Sequence, residues 1–110
     1  MQRQYIEQGR RLLALPGVQL QFEAQFDVFA EEPYDEDRGT RFEPCALDAP
    51  EATSFTHYLR CSGDLSPADE GCLSYYNAES WGESTDTLDE QIRLVRERFP
   101  DLDLHIVAGG

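Results

Sequence analysis

From Val18 to Ala30 apolar and polar positions alternate almost without interruption, with Val18, Leu20, Phe22, Ala24, Phe26, Val28 and Ala30 set against Gln19, Gln21, Glu23, Gln25 and Asp27. A period of two puts the first set on one face of a strand and the second on the other, the pattern of an antiparallel sheet with one face buried and one wet. The run predicts a strand over 18–30, long enough that a bend or bulge is expected near Ala24. Ahead of it, Tyr5, Ile6, Gly9, Leu12 and Leu13 recur at helical spacing, and Pro16 and Gly17 close the helix they predict.

After the long strand the pattern breaks into acids, prolines and glycine, "EEPYDEDRGTRFEP", which reads as the exposed tip of a hairpin whose return strand is the short "TRFEPC". "ALDAPEAT" is a surface loop. Two further strands are expected at "SFTHYLRC" (54–61) and "CLSYYNA" (72–78), joined by the turn-rich "SGDLSPADEG". In the first of these, Phe55, His57, Leu59 and Cys61 share a face. A second helix follows, opened by Thr87 with Glu90 three residues later as a capping box, carried by Leu88, Ile92, Val95 and Phe99, and stopped by Pro100. Leu102, Leu104 and Ile106 alternate in what predicts a last strand. The expectation is one α+β domain over residues 1–110: an antiparallel sheet of four to five strands, two helices on one face, and the polar face of the long strand left open.

Charge changes the picture most. The chain has 22 acids against nine arginines and no lysine, a formal charge of −13. The excess is uneven, because residues 23–90 hold 18 acids and three arginines, a net of −15, while the two ends are nearly balanced. Such a field repels nucleic acid and anionic lipid and attracts basic partners. No apolar run approaches a membrane span, and the four apolar residues after Arg11 fall short of a secretory segment, so a cytoplasmic location is expected. Three cysteines, Cys45, Cys61 and Cys72, do not make a paired framework, and reduced thiols are expected.

Candidate chemistry mostly fails on spacing. Counted from Asp35, a calcium loop needs glycine sixth and glutamate twelfth, where Thr40 and Ala46 stand. His57 and Cys61 are separated on a strand by about 13 Å, too far to share a zinc ion. No nucleophile turn or phosphate-cradling loop is present, so neither an enzyme nor a cofactor or metal site is expected. The leading expectation is a non-enzymatic inhibitor that blocks a basic, nucleic-acid-binding surface of another protein, as phage anti-defence proteins, anti-CRISPR proteins and DNA mimics do. Its contacts would be Glu23 and Asp27 on the open face, Glu31, Glu32, Tyr34, Asp35, Glu36 and Asp37 at the tip, and Trp81. The alternatives are an immunity protein that neutralises a cognate toxin, and a small enzyme or ligand-binding module using Cys61 and His57.

Overall fold

The computed structural model describes residues 3–102, and the elements run α1 (Arg3–Leu13), β1 (Val18–Asp27), β2 (Phe42–Cys45), β3 (Ser54–Cys61), α2 (Pro67–Trp81) and α3 (Leu88–Arg98). Gly17, at φ +84°, makes the reversal from α1 into β1, a backbone conformation that a side chain would strain. The result among the described residues is three helices and a three-stranded antiparallel sheet ordered β2-β1-β3. The strand expected around Leu104 and Ile106 lies outside the described residues.

The long strand is the centre of the sheet. It pairs with β3 from Val18↔Cys61 to Gln25↔Ser54 and with β2 from Ala24↔Cys45 to Asp27↔Phe42. The register passes through Ala24 without an extra residue on either side, so the expected bulge is absent. The strand also stops at Asp27 rather than Ala30. There the Asp27 carboxylate accepts the Phe29 N–H at 3.0 Å and the Ala30 N–H bonds the Asp27 carbonyl at 3.0 Å, folding the chain into a turn.

Residues directly opposed across antiparallel strands share a face. Val18, Leu20 and Phe22 therefore line one side with Cys61, Leu59 and His57, and this side is covered by Leu12 of α1, Tyr76 of α2, and Val95 and Phe99 at α3. All three helices thus cover the apolar face. The other face carries Gln19, Gln21, Glu23, Gln25 and Asp27 of β1, Phe42 and Pro44 of β2, and Ser54, Thr56, Tyr58 and Arg60 of β3, and among the described helices only the end of α2, at Trp81, reaches it.

The helix α2 departs from the expectation drawn from the sequence. Cys72 to Ala78, expected as a strand, lies inside α2. Ser66 caps the helix by accepting the Asp69 N–H, Pro67 occupies the first turn, where its missing N–H costs nothing, and Asp69 and Glu70 face the positive helix end. Cys72, Leu73 and Tyr76 then meet the core at helical spacing. Ser66 also donates to the Asp69 carboxylate, and together with Arg11 it holds that carboxyl below its ordinary range.

The free edge of β3 is closed by two devices. The Asn77 amide imitates a strand, accepting the Leu59 N–H at 2.8 Å and donating to the Leu59 carbonyl at 2.9 Å. Four residues toward the other end, Thr85 and Phe55 exchange both backbone bonds at 2.9 Å. On the opposite edge β2 is four residues long and contains Pro44.

Gly9 is what lets α1 approach α2. A methyl group there would stand 2.6 Å from Cε2 of Tyr76 and 3.1 Å from the Phe99 ring, both buried and unable to give way. Gly71, within α2, has open space where its Cβ would be. Opposite outcomes are expected in a urea titration. Gly71→Ala should gain about 1 kcal/mol from helix propensity. Gly9→Ala should lose roughly 1–2 kcal/mol, because overpacking outweighs the same gain.

Candidate functional site

The 14 residues between β1 and β2 fold into a loop built inward on one arginine. Its base is closed by the Val28 N–H on the Arg41 carbonyl at 2.7 Å. Arg38 lies with its guanidinium 4.5 Å from the centre of the Phe29 ring and donates to the Glu32 carboxylate at 2.9 Å and the Pro33 carbonyl at 2.5 Å. Asp35 accepts the Asp37 N–H on its side chain and the Gly39 N–H on its carbonyl at 2.7 Å, with Gly39 at φ +70°. The remaining loop cation, Arg41, pairs with Glu43.

The consequence is a shell of acid outside a cation. Glu31, Glu32, Asp35, Glu36 and Asp37 are exposed, and Tyr34 is 73 % exposed among them. Glu31, Glu36 and Asp37 make no side-chain hydrogen bond or ion pair among the described residues, so their charge meets solvent undiminished.

At the base of this loop the open sheet face is concave. Gln25, Ser54 and Thr56 form its floor, Phe42 of β2 one wall, and Trp81, the last residue of α2, with Ser84 just beyond it, the other, around about 330 Å³. Glu23 and Asp27 stand on the same face of β1 on either side of Gln25, and the Gln25 amide donates to Glu23 at 3.2 Å. Trp81 is 57 % and Phe42 49 % exposed. Of the expected contacts only Trp81 lines the concavity; Glu23 and Asp27 share its sheet face two residues either side of Gln25 without lining it, and the six loop residues form a separate cluster beyond β1. Phe42, Ser54, Thr56 and Ser84 are lining residues that sequence alone did not single out. Alternation within "TRFEPC" allows Phe42 a sheet face, but only the register Asp27↔Phe42 says which.

The Cys61 and His57 alternative is not assembled as a pair. His57 is fully buried, its Nδ1 lying 2.5 Å from Gln91 Oε1 and its Nε2 2.8 Å from the Tyr76 hydroxyl. Because the Gln91 amide nitrogen serves the Phe55 and Glu83 carbonyls, its oxygen faces the ring, so His57 donates from Nδ1 and accepts from Tyr76 at Nε2. Arg98, 4 % exposed, lies 3.5 Å from both Nε2 and the Tyr76 oxygen and is paired with Glu83. Cys61 instead turns its thiol to the Gly63 carbonyl at 3.1 Å. Cys45, Cys61 and Cys72 are all free, and burial, with Glu51 nearby, pushes the Cys45 thiol up. Among the described residues no group of three or more His, Cys, Asp or Glu stands where it could hold a metal ion, and no helix is long and apolar enough to cross a membrane.

Comparison of the chain with protein-family models, with curated proteins and with solved structures returned no match. The reading of function therefore rests on the geometry above.

Burial depresses the His57 imidazole to about 4, with Gln91 opposing the shift and Arg98 adding to it. Above pH 6.5 the ring is neutral folded and unfolded, and its network is fully formed. As pH falls from 6.5 to about 4 the unfolded chain takes up a proton that the folded chain refuses, so stability drops by up to about 3 kcal/mol and then levels for this group. A proton NMR titration of the native protein should show the His57 ring signals unmoved at pH 5.5. A normal titration near 6.5 would contradict this.

Proposed function

We propose that this chain is a non-enzymatic acidic protein that binds and blocks a basic surface on another protein, one that otherwise holds nucleic acid. The observation that carries this reading is the segregation of charge. The loop's arginines are spent internally on Glu32, Pro33, Phe29 and Glu43, while its free acids project outward beside an open sheet face that also carries Glu23 and Asp27. A duplex presents a negative charge every ~1.7 Å of its axis, so closely set carboxylates compete for the same arginines and lysines. The 45 × 28 × 26 Å envelope makes the chain elongated, as a partner lying in a nucleic-acid groove would be.

An anti-defence inhibitor, an anti-CRISPR protein among them, and an immunity protein that neutralises a basic nuclease both need such a surface. The partner recovered from the native host separates them. The decisive assay uses that partner loaded with a short labelled duplex and asks whether the chain displaces the DNA.

Three outcomes are expected. The chain displaces the duplex competitively. The triple variant Glu31→Lys, Glu36→Lys, Asp37→Lys, which disturbs none of the loop's internal bonds and lowers the self-repulsion, melts no lower than the parent chain and loses about tenfold or more in affinity. Raising sodium chloride from about 0.01 M to 0.15 M shortens the screening length from about 30 Å to 8 Å, so the free protein becomes more stable while its complex weakens. Affinity that is flat across this salt range, or unchanged in the triple variant, would sink the proposal.

A further inference from the structure

The concavity between Phe42 and Trp81 adds something that net charge does not supply: a shaped place for one side chain. Its walls are two large aromatics, and its floor offers the Ser54 and Thr56 hydroxyls and Gln25, whose Oε1 has no protein donor among the described residues once its amide is given to Glu23. Glu23 and Asp27 flank Gln25 along β1, each about 7 Å from it at strand spacing. No basic side chain lines the space. Trp81 is also the last residue of the 15-residue α2, whose final turn contains no basic residue. At about 330 Å³ the hollow is at the small end of the range for ligand pockets.

We infer that this concavity receives an arginine side chain of the basic partner, its guanidinium stacked on Trp81 and hydrogen-bonded to Glu23 and the polar floor. The inference rests on the acidic-blocker reading and deepens it. Aromatic faces attract cations, and the carboxylates of Glu23 and Asp27 on the same sheet face supply the opposite charge. Arginine fits better than lysine, because a planar guanidinium stacks on an indole while its in-plane N–H groups reach several acceptors, whereas an ammonium is compact and strongly hydrated.

Trp81 is the only tryptophan, so its emission reads the site directly. The full chain is titrated with hexa-arginine and hexa-lysine peptides, followed by emission and by calorimetry, at about 0.01 M and 0.15 M salt. The arginine peptide should shift Trp81 emission saturably and bind about tenfold more tightly than the lysine peptide. Trp81→Leu should erase that preference while leaving lysine-peptide binding unchanged, and Trp81→Tyr should retain most of it. Because Trp81 is half exposed, thermal melts will confirm that both variants stay folded. Calorimetric binding of the arginine peptide with no emission change, or with full affinity in Trp81→Leu, overturns this inference and leaves the acidic-blocker reading standing. Failure of both peptides to bind at either salt concentration overturns the two together. Emission that changes on diluting the protein alone would assign the hollow to a second copy of the chain, and would likewise overturn it.

Discussion

A neutral imidazole sealed between two helices sets the geometry of this protein. His57 projects from the middle of β3 into the core, where it gives one hydrogen bond to Gln91 of α3 and takes one from Tyr76 of α2. Both bonds form only when the helices sit at the correct height and rotation over the sheet. Gln91 carries the constraint outward, because its amide holds the Phe55 and Glu83 carbonyls and the Thr85 hydroxyl. The segment joining α2 to α3 is thereby pinned against β3, and Ser84 within it and Trp81 at the end of α2 are placed on the open face. An apolar core would bury as much surface but would tolerate sliding. A buried donor or acceptor left unpaired costs about 1–3 kcal/mol, which penalises each wrong position separately.

Charge is divided by sign as well as by segment. Arg10 reaches the Arg98 carbonyl at 2.7 Å, Arg11 pairs with Asp69, Arg38 and Arg41 serve the loop, and Arg98 pairs with Glu83. Five of the nine arginines thus tie the molecule to itself. The acids are more than twice as numerous, and most of them are left without a cation. The exposed pairs among these contribute at most about 1 kcal/mol each. Their effect here is on what the surface presents.

The sheet was legible where one face alone is buried. β3 runs over the 54–61 span that its composition predicts, and the start of β1 at Val18 follows from strict alternation beginning after Gly17. The Thr87 capping box likewise placed α3. The second helix was hidden because Gly71 interrupts its apolar stripe, Tyr75 and Tyr76 favour strands, and only Tyr76 and Ser80 of its 15 residues are buried. The signal that would have found it is the Ser-Pro-x-Asp sequence at its start, a capping serine followed by a proline in the first turn. For the candidate site, the acids could be named from the sequence, but their grouping could not. Trp81 reaches the sheet face of Glu23 and Asp27 through the register of β1 and the path of α2 around β3, both long-range outcomes. Gln91 and Arg98 lay on the apolar side of α3 unnoticed, because a polar residue on a buried face declares itself only through its partner.

The closed edges bear on how such a molecule behaves when crowded. Open strand edges are templates on which chains add to one another, and here two rims of the sheet are interrupted. Asn77 and Thr85 occupy the rim of β3, and the short β2 includes a proline with no N–H to give, while Val18–Glu23 of β1 has no strand partner on its β2 side among the described residues. At the two interrupted rims the protein is kept apart from its copies by shape as well as by charge. It does not depend on low salt for that restraint, because the barrier of Asn77, Thr85 and Pro44 persists when counterions have screened the carboxylates.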